Sequence, residues 1–294
     1  MKSPGTPKPA SYLDVNGIRL HYERSGEPRE DRPTLVLVHG FGASHRVWDD
    51  IYPALALRNP TLRLDLKGFG FSAKPDDHAY RPDDQAELLA AFLVQIPDAR
   101  VVLIGHSYGA GVSLLAHIFL AESEPARNPV VGFVLIAAAV LTQELPFFVR
   151  NLRNPFRRFL TTALTTPEWR SRHVLERIFF DKTRATPERV QRYAWFLRLE
   201  GAGRALGRVA DQIELAAVQD IASRLHTVDL PVLLIWGEAD SVIPVEQGRE
   251  LRLRLPRAEL RVLPGTGHVP HEERPLETLE ILQAFLERFR ANSP

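Results

Sequence analysis

The sequence predicts an α/β fold around a mostly parallel sheet, and three observations carry that expectation. Short runs that are apolar throughout alternate with segments of helical length. A tight hairpin signal precedes them. One apolar run stops at a glycine-flanked serine, where a helical pattern begins at once. Strands apolar on both faces must be covered on both faces, as parallel strands joined by crossover helices are.

The elements follow in order. Tyr12–Val15 and Ile18–Arg24 are separated by Asn16-Gly17, a dipeptide suited to the two positive-φ positions of a type I′ turn. This hairpin should add antiparallel pairing at one edge of the sheet. The apolar runs are Thr34–Val38, Thr61–Leu64, Arg100–Ile104, Val131–Ile136, Val232–Trp236 and Glu259–Val262. Between the first four lie Ser44–Leu57, Asp83–Ile96 and Ser107–Ala121, with apolar residues at roughly helical spacing. The alternation stops after Ile136. From about Leu141 to Arg224 helical patterns rich in arginine and aromatics take over, punctuated by Pro146, Pro155, Pro167 and Pro187. Thr142 to His226 holds 15 basic residues against 9 acidic ones, in a chain whose net charge is only +1. This shift marks residues 141–226 as a helical insertion over a core made of residues 11–140 and 227–294. Residues 1–10, rich in lysine and proline, read as a mobile tail. A helix from about Leu276 to Arg290 closes the chain.

Composition narrows the function classes. With 294 residues, 45% hydrophobic and 25% charged, the chain has ordinary globular proportions and can bury a substantial core. Near-neutral charge over the whole chain argues neither for a nucleic-acid partner nor for a membrane surface. The absence of cysteine removes disulfides, thiolate metal sites and a cysteine nucleophile, and suits a reducing cytoplasm. Val101–Ala121 is interrupted by Gly, His and Ser, and Val130–Leu141 is too short to span a bilayer, so no stable membrane insertion is expected.

The chemistry centres on Gly105-His106-Ser107-Tyr108-Gly109. A sharp strand-to-helix turn lifts Ser107 above the sheet, and side chains at Gly105 and Gly109 would collide across so tight a bend. A serine needs a histidine to take its proton and a carboxylate to orient that histidine. Asp240 follows the run Val232–Trp236, and His268 follows Glu259–Val262, so both stand past carboxyl ends of strands, where open α/β sheets bind ligands. Glu238 and His271 are the alternatives. Asp240 could also simply cap the turn before Pro244, and His106 is expected to pack beneath the serine. Backbone amides of Tyr108 and of Phe41, in His39-Gly40-Phe41-Gly42, are the candidates to hold an oxyanion.

The hairpin, His39–Gly42, Asp65–Ser72, Gly105–Gly109, Gly237–Asp240, and Gly267-His268 followed by Glu272 and Pro275 together resemble the α/β-hydrolase superfamily, in its capped esterase-like and epoxide-hydrolase-like branch. The resemblance implies an eight-stranded, mostly parallel sheet flanked by helices, and a cap over about residues 141–226. It also implies a Ser107–His268–Asp240 triad working without cofactor or metal, and a purely structural role for Asp65–Ser72. Ser107 departs from the aspartate nucleophile of dehalogenases and epoxide hydrolases, and Tyr108 from the methionine of cofactor-free haloperoxidases; no HGGG-type motif is present. The leading expectation is a serine hydrolase that cleaves a small or medium ester-like substrate through an acyl-enzyme. Alternatives are a C–C bond hydrolase, an acyltransferase, a haloperoxidase-like enzyme with the same triad, or a non-catalytic receptor. In the insertion, Phe147, Phe148, Phe156, Phe159, Trp169, Phe179, Phe180, Trp195 and Phe196 are expected mainly to hold its helices together, with the arginines facing water. The sharper reading makes them an apolar pocket roof.

Overall fold

The computed structural model describes residues 11–142, 144–213 and 215–290; the tail expected at residues 1–10 lies outside them. Eight strands form one sheet: β1 (Ser11–Val15), β2 (Ile18–Ser25), β3 (Thr34–Val38), β4 (Thr61–Leu64), β5 (Val101–His106), β6 (Val130–Ile136), β7 (Val232–Gly237) and β8 (Ala258–Leu263). Their order is β1-β2-β4-β3-β5-β6-β7-β8. The pairs β1/β2 and β2/β4 are antiparallel and every other pair is parallel. Asn16 and Gly17 both take positive φ (52° and 78°), as the hairpin signal requires.

The helices are α1 (Tyr52–Ala56), α2 (Pro82–Gln95), α3 (Tyr108–Ser123), α4 (Phe147–Arg153), α5 (Pro155–Leu164), α6 (Pro167–Ile178), α7 (Pro187–Ala194), α8 (Ala202–Gln212), α9 (Leu215–Arg224), α10 (Val245–Arg254), α11 (Pro270–Glu273) and α12 (Pro275–Leu286). Side chains alternate along each strand, so the central strands feed two cores at once. Val36 and Val38 join the cluster that contains Leu89, Phe92 and Leu114 of α2 and α3, while Leu35 and Leu37 join the one that contains Trp48 and Phe285. A fully buried side chain of this size contributes roughly 1.5–3 kcal/mol, which is why these strands read as unbroken apolar runs.

Two expected helices are shorter than their patterns. Ser44–Leu57 divides into a 3-10 turn, His45–Trp48, and the five-residue α1. Ser44 caps the turn, His45 is drawn to Asp65 by its backbone N–H (2.7 Å), and Pro53 starts a new helix. The closing helix stops at Leu286, followed by a 3-10 turn at Glu287–Phe289. Between β6 and β7 every regular element among the described residues is helical, α4 to α9.

Candidate active site

The site is built outward from β5. All six residues of that strand are buried, and the chain then turns at Ser107 with φ 51° and ψ −118°. Such a conformation is strained for any residue with a Cβ, by about 1–3 kcal/mol, and persists only where the surroundings fix it. Here Ser107 N donates to Ile136 O (2.9 Å), while Ala110 N and Ala139 N both donate to Ser107 O (3.1 Å each). A Cβ on Gly105 would meet the Ala110 backbone N at 2.8 Å, and one on Gly109 would strike the carbonyl oxygens of Val38 and His39. The two glycines are therefore required by close approach. Tyr108, next along the chain, opens α3, so its amide belongs to a helix N-terminus, where negative charge is favoured.

The structure brings Ser107, His268 and Asp240 together. Ser107 Oγ lies 3.0 Å from His268 Nε2, and His268 Nδ1 donates to Asp240 Oδ2 at 2.8 Å. His268 and Asp240 are buried. The other oxygen of Asp240 accepts from Val242 N (2.8 Å) and Ile243 N (2.9 Å). One oxygen thus caps the turn and the other faces the imidazole. Glu238 is exposed and takes no part.

His106 donates from Nε2 to the backbone oxygen of His268 (3.0 Å), so it braces the loop from beneath, as a residue packed under the serine should. Burial holds it neutral, well below the ordinary histidine range. His271 packs against the rings of Trp48 and His106, and burial first, then neighbouring positive charge, pushes its pKa down to about 3.

Two anchors of His268 were not singled out from the sequence. His268 N donates to Ile178 O at 2.7 Å, a carbonyl at the end of α6. Glu273 accepts from Gly267 N (2.7 Å), Phe180 N (2.9 Å) and Asp181 N (3.3 Å). Gly267 itself is packed so closely that a Cβ would meet Phe180 N at 2.7 Å and Glu273 Oε1 at 2.8 Å. Gly267 is the one trace of these contacts in the sequence, and it marks crowding that admits no side chain.

Above Ser107 is a cavity of about 410 Å³, with Phe41, Ser107, Tyr108 and His268 in its wall and Phe147, Phe148 and Trp169 from the helical segment opposite. Of the aromatics expected to hold the insertion together, Phe179 and Phe196 are buried, whereas Phe156, Phe159 and Phe180 are exposed. The arginines also divide. Arg189 and Arg192 turn inward to Asp50, and Arg192 reaches buried Glu272 at 3.2 Å. Burial raises the Glu272 carboxyl to about 7, against the pull of the two arginines and the Tyr193 hydroxyl.

Among the described residues one group has the side chains of a metal centre: His21, His45 and Asp65. Both histidines donate Nδ1–H to Asp65 (2.8 and 2.9 Å), which also accepts from His45 N and Phe71 N. Burial opposes charge on His45, but its hydrogen bonds to Asp65 and Glu23 outweigh it and push the pKa up to about 9. With those nitrogens already spent on the carboxylate, the group ties the hairpin to the turn after β3.

The sequence model of the alpha/beta hydrolase family matches residues 35–281. The chain is an α/β hydrolase. The α/β hydrolase is 28% identical to an uncharacterized hydrolase, YugF, of Bacillus subtilis (strain 168), over 95% of its own length and 98% of the relative's. It is 31% identical to the dihydrolipoyllysine-residue acetyltransferase component of an acetoin cleaving system from Pseudomonas putida, over 94% of this chain and 68% of that one. Among solved structures, an α/β-hydrolase-fold protein from Burkholderia ambifaria superposes with a TM-score of 0.78 at 26% identity, over 93% of this chain and 97% of that one. No helix among the described residues of this α/β hydrolase is long and apolar enough to cross a membrane.

Proposed function

We propose that this α/β hydrolase is a serine hydrolase of small or medium carboxylic esters, working through an acyl-enzyme. Ser107 is the nucleophile, His268 the general base and Asp240 the carboxylate that orients it. The observation that carries this reading is the continuous line of hydrogen bonds from Ser107 Oγ through His268 to Asp240, at the wall of an apolar cavity.

As Ser107 Oγ bonds to the ester carbon, its proton passes to His268 Nε2 and the carbonyl oxygen takes the negative charge. Asp240 steadies the imidazolium and fixes the tautomer that leaves Nε2 free to accept. The amides of Phe41 and Tyr108 hold the oxyanion, each such donor being worth roughly 3–4 kcal/mol in enzymes of this kind. Collapse expels the alcohol, which takes the proton from His268 and leaves the acyl group on Ser107. Water then attacks that carbonyl, gives its proton to His268, and the proton returns to Ser107 Oγ as the acid departs. Every proton and bond is accounted for by these side chains, the ester and water. Residues 141–226 act as a cap whose aromatic wall selects an apolar acyl or alcohol group. A chain without cysteine is suited to doing this in the cytoplasm.

A fluorophosphonate probe, followed by peptide mapping, should label Ser107 in the wild type and nothing in Ser107→Ala. A series of p-nitrophenyl esters should lose turnover in the same variant by roughly 10⁴-fold or more, with the melting temperature retained. Labelling elsewhere, or unchanged hydrolysis by the variant, refutes the assignment.

A further inference from the structure

Helix α5 is built inside out. Phe156, Phe159, Leu160, Ala163 and Leu164 recur at intervals of three and four, which places them on one stripe of the helix. In a water-soluble protein that stripe faces the core. Here it faces away: Phe156 is 69% exposed, Phe159 66%, Leu160 37% and Leu164 77%. The inward side is polar instead, with Arg158, Thr161 and Thr162 in the cavity wall and Arg158 bonded to Leu152 O and Asp211. Trp169, at the start of α6, adds another half-exposed ring. Folding alone gives no reason for this orientation, and an apolar patch of this size marks a contact surface.

Charge identifies what it contacts. Residues 145–167 carry Arg150, Arg153, Arg157 and Arg158 and no acidic side chain. Arg153 and Arg157 are exposed, and neither has a carboxylate partner among the described residues. A second copy related by a two-fold axis would bring this surface onto itself and set arginine against arginine, which disfavours self-pairing. Aromatic and leucine side chains in a stripe flanked by arginines are what an amphipathic helix needs to lie in the headgroup region of a negatively charged bilayer.

We propose that α5 seats this protein peripherally on an anionic phospholipid surface. Phe156, Phe159 and Leu164 enter the acyl-chain boundary, and Arg153 and Arg157 meet the phosphates. The docked face then borders the cavity directly, since α5 contributes to both.

The test uses the full chain carrying Ser107→Ala, so that binding is read without hydrolysis and independently of the ester assignment. It should co-sediment with phosphatidylcholine vesicles that contain phosphatidylglycerol, and far less with phosphatidylcholine alone. Arg153→Gln with Arg157→Gln should weaken partitioning to the charged vesicles by roughly 30-fold, at about 1 kcal/mol per cation. Phe156→Ser with Phe159→Ser should abolish it and leave the circular dichroism melt unchanged. Failure to bind charged vesicles overturns the proposal, as does binding that neither pair of substitutions reduces. So does a wild-type dimer that the phenylalanine pair converts to monomer, which would assign the stripe to a second copy.

Discussion

The sheet edge that carries Ser107 and the helix that roofs it obey opposite rules of burial. At the sheet edge, the polar groups around His268 are paired: both oxygens of Asp240, both ring nitrogens of His268, and the backbone N–H groups of Gly267 and His268 have partners, while the neutral rings of His106 and His271 leave nitrogens unpaired beneath them. On α5 Arg158 and Thr161 turn toward the cavity, and Phe156, Phe159, Leu160 and Leu164 stand in water. The first pattern is what stability and preorganisation demand of any enclosed polar site. The second serves neither, so its explanation has to lie outside the chain. A region whose burial agrees with folding physics says how the molecule holds together, and one that contradicts it says what the molecule meets.

Substitutions can break or sharpen this contrast. With the Ser107 hydroxyl left in place, the largest effect is expected at Asp240. Asp240→Asn keeps an oxygen to cap Val242 and Ile243 but offers an amide to His268, which favours the wrong tautomer. Turnover should fall by roughly 10³–10⁴-fold with a loss of stability under about 1 kcal/mol, measured by ester kinetics and urea melts. A variant that unfolds would mean that the cap dominates and that the two oxygens cannot be separated.

Next comes Gly267, where the sheet edge and the helical segment touch. Gly267→Ala places a methyl against Ile178, Phe180 and Glu273, so it should displace His268 and destabilise the fold by about 2–4 kcal/mol. The paired control is Gly203→Ala in α8, where a Cβ meets nothing within 4 Å and the helix should gain about 0.5–1 kcal/mol. Equal melting temperatures for the two variants would remove the junction from the account.

The effect confined to the narrowest conditions is read as a pH dependence. Glu272 titrates near 7 in the folded protein against 4.5 for a free side chain, so the folded state holds the proton more tightly. Its contribution to stability is complete below about pH 4.5 and is lost as pH rises through 7, by an amount on the order of 3 kcal/mol. Glu272→Gln should remove that decline, so the stability difference between wild type and variant should change across this window. His271, whose pKa is depressed, contributes the opposite slope between pH 6.5 and 3 in both proteins. A difference that is flat with pH would show that Glu272 remains charged throughout.

Much of the fold was legible because its signals are local. Asn16-Gly17 has the backbone freedom its turn needs, the central strands are apolar on both faces, and Gly105 and Gly109 flank a serine at a crowded bend. Ser107, Asp240 and His268 could be placed because each follows a strand in the same sheet, and parallel strands put those ends side by side. What stayed hidden depends on contacts between distant segments. Nothing near Glu273 in sequence announces that it will bind Phe180 and Asp181, and the Ile178 carbonyl has no sequence signature at all. Helix α10 has no apolar stripe to announce it, because only Val245, Gly248 and Leu251 are buried in it. The orientation of α5 was misjudged for a different reason. A helical stripe of phenylalanine and leucine says that a face will be covered, without saying by what.

The hydrogen bond from His268 N to Ile178 O, with the Glu273 carboxylate clasping Phe180 and Asp181 beside it, has a mechanical consequence. The imidazole loop and the C-terminal end of α6 are riveted, so a displacement of α6 would draw His268 away from Ser107. The α4–α5 wall of the cavity is anchored more lightly, with Val149 buried in α4 and no side chain buried in α5. One margin of the cavity is thereby pinned through the same loop that holds the Ser107–His268–Asp240 line of hydrogen bonds.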